Sequence, residues 1–124
     1  MAPLNEFKPA YFTIDDRGAI VVAHISKLGL SEEDNIEQLG QELSMLVDQF
    51  GCRKLVVSFE IVRLVTSAAL GKFIALNRNL RRREGRLVLC GVNGMMQGVL
   101  EATKLNEYFT ITPTVDDAVV QLNQ

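Results

Sequence analysis

The chain has one histidine, His24, among its 124 residues. A histidine-assisted hydrolase needs a base beside its nucleophile. A metal site built on imidazoles needs more than one ligand, so His24 reads as a structural strand residue. Cysteine is nearly as scarce. Cys52 and Cys90 stand alone without a C-x-x-C pair, which suits a reduced compartment and two small core or near-core residues. No run of apolar residues approaches the roughly 20 needed to span a bilayer. The opening "MAPLNEFKPAYF" lacks a basic segment followed by an apolar run, so it does not read as a signal peptide. A net charge of -2 supplies no global basic field for nucleic acid. No linker, repeat or low-complexity segment interrupts the chain. The expectation is a cytoplasmic protein without membrane insertion, with residues 1–9 as a loose leader and residues 10–124 as one domain.

What is present is an alternation of apolar patterns. "AYFTI" and "AIVVAHIS" are β-rich runs separated by "DDRG", which reads as a hairpin with its turn chemistry at Asp15 to Gly18. "LSEEDNIEQLGQELSMLVDQFG" is a first helix. Ser31 is its N-cap with Asp34 three residues on, and Ile36, Leu39, Leu43, Leu46 and Val47 recur at helical spacing. Its other face is acidic, with Glu32, Glu33, Asp34, Glu37 and Glu42. "KLVVSF" and "RLVLCGV" are continuous apolar runs suited to strands buried on both faces. Between them residues 67–83 form a second helix. Asn93 caps a third helix over 94–103, "YFTIT" is a last strand, and Thr114 with Asp117 caps a final helix through Leu122. The order β-β-α-β-α-β-α-β-α predicts an α/β domain. It has a single mixed, mainly parallel sheet of four to five strands and about four helices.

The stretch "VTSAALGKF", Val65 to Phe73, invites three chemical readings. A phosphate-binding loop needs G-x-x-x-x-G-K-[ST]. Gly71 and Lys72 are in place, but Thr66 holds the first glycine position and Phe73 the final hydroxyl position. A nucleophile elbow needs G-x-S-x-G, and Ser67 is flanked instead by Val65 and Ala69. Nucleotide hydrolysis and serine hydrolysis are therefore set aside, and the expectation is a protein without enzymatic activity or cofactor. The third reading is a helix cap at Thr66 or Ser67, either purely structural or open to phosphorylation, because a helix N-terminus accommodates added negative charge.

Two further segments stand out. Lys72, Arg78, Arg81, Arg82, Arg83 and Arg86 form a basic run with Glu84 the sole acid among them. It reads as the solvated face and C-terminal end of a helix, or as a patch for an acidic protein partner; no aromatic residues interleave with the arginines as single-stranded nucleic acid would require. In "NGMMQG" the adjacent Met95 and Met96 cannot easily both point inward, and an exposed methionine suits a protein-binding surface.

From Tyr11 to Leu122 the pattern resembles the STAS family, named for sulfate transporters and anti-sigma-factor antagonists. The resemblance is strongest from Lys54 to Leu105 and rests on "TSAALG" (Thr66–Gly71), "EGRLVLCGV" (Glu84–Val92) and "VLEATKL" (Val99–Leu105). Bacterial antagonists of that family open their second helix with D-S-[ST]-G-L-G. Ser67 takes the place of the serine phosphorylated there, and Leu70 and Gly71 match directly. Thr66 stands at the aspartate position, and Ala68 and Ala69 at the two positions after the serine. The resemblance implies a non-enzymatic module that switches partners, regulated by phosphorylation at Ser67 with Thr66 as the alternative site. The implied partner is an anti-sigma-factor serine kinase, bound through Thr66, Ser67, Ala68, Leu70, Gly71, Lys72, Met95 and Met96. An accessory or scaffold STAS domain without a phosphorylation switch, as in sensory or transport assemblies, is the second expectation. A small-molecule sensor is the third, and it lacks a polar constellation to support it. The sequence leaves the oligomeric state open.

Overall fold

The computed structural model describes residues 3–31 and 33–124, and all side chains among these except those of Glu33 and Asp34. The expected Ser31–Asp34 cap and the acids Glu32, Glu33 and Asp34 therefore fall outside the described residues and side chains, as do Met1 and Ala2 of the leader.

Strands β1 (Phe12–Arg17) and β2 (Ile20–Ile25) pair antiparallel, with Arg17 opposite Ile20. The loop is thus only Gly18 and Ala19, and Gly18 sits at φ +83°, the left-handed geometry that a two-residue hairpin loop asks of its first position. Asp15 and Asp16, expected in the turn, belong to β1. Their side chains still serve the turn, since Asp16 accepts from the Gly18 amide and Asp15 pairs with Arg17.

From β2 onward every sheet strand is parallel to its neighbour. The order across the five-stranded sheet is β1-β2-β4-β6-β7, with β4 at Lys54–Ser58, β6 at Arg86–Cys90 and β7 at Thr110–Thr112. Each crossover moves one strand further in the same direction. Right-handed crossovers then place all the intervening helices on one face. These are α1 (Glu33–Asp48), α2 (Ser67–Arg82), α3 (Gly94–Ala102) and the single turn α4 (Leu105–Tyr108). They cover the larger core, into which Leu55, Val57, Leu87 and Leu89 point. Helix α5 (Val115–Leu122) returns across the opposite face and packs Ala118 and Leu122 on Val22, Val56, Val88 and Cys90. Strands β4 and β6 are thereby buried on both sides, as their unbroken apolar runs predict.

The architecture is the expected α/β domain with a five-stranded, mainly parallel mixed sheet. The differences are short elements. Helix α4 has four residues, too few for a periodic signal, and it takes Tyr108 out of the expected last strand, which starts at Thr110. A second sheet pairs β3 (Gly29–Leu30) with β5 (Leu64–Val65), two residues from each. In the leader, Leu4–Glu6 form a 3-10 turn, and Phe7 stacks on Phe50 with ring centroids 4.9 Å apart.

Glu42 corrects the reading of an acidic outer face on α1. It is buried, and its carboxylate accepts the Ala10 amide at 2.7 Å and the Tyr11 amide at 3.0 Å. Two charge-assisted bonds to backbone donors tie the start of β1 to the middle of α1. Glu37, on the outer side, pairs with Lys72 of α2 at 2.7 Å.

Both cysteines are buried free thiols. Burial pushes the Cys52 pKa up from 9.0 to about 11, with the Asp16 carboxylate adding to the rise and the nearby Arg53 opposing it. Burial also raises Cys90, against a contact with Ser58 that lowers it.

Helix α2 ends in a Schellman arrangement. The Glu84 amide donates to Arg81 O at 3.1 Å and the Gly85 amide to Leu80 O at 2.7 Å. The left-handed residue is Glu84, with φ 62°, where glycine is the usual occupant. The adjacent glycine is needed for a different reason: a Cβ at position 85 would lie 2.5 Å from the Arg53 carbonyl oxygen.

Two expected outcomes follow from these environments. Glu84→Gly relieves a left-handed side chain and stabilises the protein by about 1 kcal/mol in urea unfolding, whereas Gly85→Ala destabilises it. Cys52 has a higher pKa folded than unfolded, so between pH 9 and about 11 the unfolded chain has lost a proton that the folded chain keeps. Its contribution to stability is intact below pH 9 and declines as pH rises through that window. The decline in denaturation midpoint from pH 8.5 to 10.5 is expected to be shallower in Cys52→Ala than in wild type.

Candidate functional site

The site is assembled where β4 gives way to α2. After Ser58 the chain leaves the sheet, and Phe59, Val62 and Val65 are buried while Ile61 and Leu64 face outward. Phe59 packs edge-on against Phe73 of α2, with centroids 5.0 Å apart. The connection is held from two sides. The amides of Arg63 and Leu64 donate to Leu28 O, and the β3–β5 pairing continues the tie through Leu30 and Val65. From the other side Asn93 donates from Nδ2 to Val62 O at 2.6 Å. The same side chain accepts the Met96 amide at 2.8 Å, capping α3 as expected. One asparagine thus fixes both the connection and the N-terminus of α3.

The structure separates the two hydroxyls that open α2. Thr66 is the N-cap. Its Oγ1 accepts the Ala69 amide at 3.2 Å and donates to Leu30 O at 3.3 Å, so the threonine hydroxyl is engaged on both sides. Ser67 is the first helical residue and is exposed, and its hydroxyl bonds to no described residue. The amides of the first helical turn have no intrahelical partners, and with Ala69 taken by Thr66, those of Ser67 and Ala68 remain at the helix's positive end. No acidic residue lies in that turn.

The residues expected at a partner surface divide accordingly. Ser67, Ala68 and Gly71 are exposed. Leu70 is buried beneath them and holds the helix to the core. Lys72 turns away from the entrance. Its alkyl stem lies against Gly40 of α1, where an added Cβ would come within 2.8 Å of it, and its ammonium pairs with Glu37. Of the two methionines, Met95 is 61% exposed and Met96 is buried at 3%. Exposed Leu28 (58%), Ile61 (47%) and Leu64 (48%) belong to the segments that brace the Ser67 entrance, and Met95 opens the neighbouring helix. Leu28, Ile61 and Leu64 escaped the sequence reading because they sit in loops or two-residue strands that have no periodicity.

The basic run is not one uniform patch. Arg83 pairs with Asp48 of α1 at 3.0 Å, the Arg81 guanidinium lies over the Tyr108 ring at 5.4 Å, and Arg86 Nη1 donates to Gln121 O at 3.3 Å. Most of these cations therefore tie α2 and β6 to neighbouring elements.

Comparison with known proteins places this geometry. The STAS domain family model matches residues 19–118. The fold is similar to that of an anti-sigma factor antagonist from Mycobacterium paratuberculosis (TM-score 0.79, 19% identity, 91% of this chain and 93% of that one). It is likewise similar to an anti-sigma-factor antagonist (STAS) domain protein from Planctomyces limnophilus (TM-score 0.78, 18% identity, 90% and 96%). The phosphorylated form of the Bacillus cell fate determinant SpoIIAA is a third (TM-score 0.66, 20% identity, 89% and 97%). The chain belongs to the STAS domain family. Among the described residues no helix is long and apolar enough to cross a membrane.

The division between the hydroxyls is measurable. Thr66→Val loses the cap and the tie to Leu30, at a cost of about 1–2 kcal/mol in unfolding free energy. Ser67→Ala stays within about 0.5 kcal/mol of wild type, as a surface change without partners should.

Proposed function

We propose that the protein is a partner-switching regulator of the anti-sigma-factor antagonist type, a non-enzymatic module whose switch is phosphorylation of Ser67. The observation that carries this reading is the exposed, unengaged Ser67 hydroxyl at the start of α2, beside a Thr66 hydroxyl already committed at both ends. Of two adjacent hydroxyls, a kinase meets Ser67 without first breaking a cap. The proposed docking surface comprises Ser67, Ala68 and Gly71 with Leu28, Ile61, Leu64 and Met95. Thr66, Leu70 and Met96 support it from beneath. The partner is a serine kinase of the anti-sigma-factor type.

The physics of the switch is local. A phosphoryl group adds about -1.5 to -2 charges at neutral pH. The helix dipole and the free first-turn amides accommodate it, so the fold is retained. The same charge has to be desolvated against an apolar rim when a partner docks, and that weakens the complex unless the partner supplies a cation.

The test uses the cognate kinase, with mass spectrometry of the product and titration of variants. Phosphate is expected on Ser67. Ser67→Ala should bind the kinase and resist release, and Ser67→Asp should remain folded but bind at least tenfold more weakly. Absence of phosphate together with wild-type binding by Ser67→Asp would reject the switch in favour of an accessory or scaffold role. Phosphate on Thr66 alone would move the site by one residue.

A further inference from the structure

Strand β1 is one edge of the five-stranded sheet and is paired on one side only. Its two-residue loop makes Arg17 and Ile20 the first hydrogen-bonded pair of the hairpin, and in an antiparallel ladder such pairs alternate. Asp15–Val22, Thr13–His24 and Tyr11–Ser26 are then the bonded pairs, and the Ser26 amide does donate to Tyr11 O at 3.0 Å. The N–H and C=O groups of Phe12, Ile14 and Asp16 therefore point away from the sheet. None of them bonds to a described residue outside it. The row stops at Phe12, because the Ala10 amide is taken by Glu42. An edge is ordinarily blunted by proline, lysine or a bulge. "FTIDDR" has neither residue, and its register runs unbroken from Phe12 to Arg17.

A groove of about 380 Å³ follows this edge. Phe12 and Ile14 of the strand and Leu4 and Phe7 of the leader give it an apolar lining, on the face that carries α1. The leader runs alongside the strand. Phe7 packs edge-on against Phe12, and Leu4 shares a neighbouring hollow with Asp16. Lys8, next after Phe7, thus marks the Phe12 end of the groove and Asp16 marks the other. Both are exposed, and neither is in an ion pair with a described residue.

We propose that β1 pairs antiparallel with β1 of a second copy of this chain, about a two-fold axis at Ile14, so that the two sheets become one. Ile14 then exchanges both backbone bonds with Ile14 of the second copy, and Phe12 does so with Asp16 of the second copy, which satisfies the whole outward row. The opposite charges are what favour a second copy over an extended segment of another protein. The axis brings the Lys8 end of each groove to the Asp16 end of the other. On the opposite face Thr13 stands across from Asp15 of the second copy, and Asp15 is held by its own Arg17, so no like charges are directly opposed. Ser67 follows β4, two strands in from this edge, and the pairing does not depend on the switch.

The experiment is sedimentation equilibrium of the full chain from micromolar to millimolar concentration, with amide hydrogen exchange followed by NMR in the same samples. A monomer–dimer equilibrium is expected, with the Phe12, Ile14 and Asp16 amides exchanging at least tenfold more slowly as the dimer fills. Ile14→Lys sets two ammonium groups against each other on the axis and should weaken dimerisation at least tenfold. Lys8→Glu changes only the exposed leader and should weaken it at least threefold, and adding Asp16→Lys to it should restore the dimer. Thr110→Lys, on the opposite edge strand β7, should stay within twofold of wild type. If Ile14→Lys does not fold, Lys8→Glu and the charge swap decide. A chain that is monomeric throughout the range would overturn the inference and leave the edge to a strand of another protein. So would a dimer that Ile14→Lys and Lys8→Glu leave unchanged, or slow exchange of the same amides in the monomer.

Discussion

Burial of β4 and β6 on both faces is the constraint from which the arrangement follows. A strand with apolar side chains on both sides needs a layer on each, and one set of right-handed crossovers supplies only one. Helix α5 supplies the second by returning across the sheet over Val22, Val56 and Val88. Because the parallel strands all point the same way, every crossover leaves the sheet at one end. The connections after β2, β4 and β6 therefore gather there, and Leu28, Ile61, Leu64, Ser67 and Met95 all come from those connections. The exposed apolar rim follows from topology: these residues are stationed on connections that the layers do not cover.

Within that end, Thr66 and Asn93 do related work. Each caps a helix and also holds a backbone carbonyl of a neighbouring segment, Leu30 for Thr66 and Val62 for Asn93. The caps are therefore tertiary contacts as well as local ones. The antagonist motif that "TSAALG" resembles has aspartate where Thr66 stands. A carboxylate could accept the first-turn amides but, when ionised, has no hydrogen to donate to Leu30 O. Threonine does both, and it leaves the helix entrance without a fixed negative charge.

The sheet, the long helices and the caps of α3 and α5 were legible from residues alone, and the cap of α2 down to the two adjacent hydroxyls Thr66 and Ser67. Ile36, Leu39, Leu43, Leu46 and Val47 repeat at helical spacing and are all buried, and Thr66, Asn93 and Thr114 each accept an amide three residues on. The three-residue β7 was legible within "YFTIT", but the two-residue β3 and β5, the Leu4–Glu6 turn and the four-residue α4 were not, since neither a period of two nor one of 3.6 can be recognised over so short a span. Glu42 was misread for a related reason. Its role is set by the amides of Ala10 and Tyr11, more than thirty residues away, and nothing in α1 announces them.

The two ends of α2 differ in kind. From Ser67 to Arg81 is fourteen residues of helix, about 21 Å at 1.5 Å per residue. That is more than twice the Debye length of about 8 Å at physiological ionic strength, so charges at the two ends are largely screened from each other through solvent. Any influence of one end on the other has to pass through the helix itself. On its inner side Phe73 packs edge-on against Phe59, and Lys72 and Arg83 are paired to α1. Under the proposed switch, a charge added at Ser67 acts at the rim of the entrance and not at the far end of the helix.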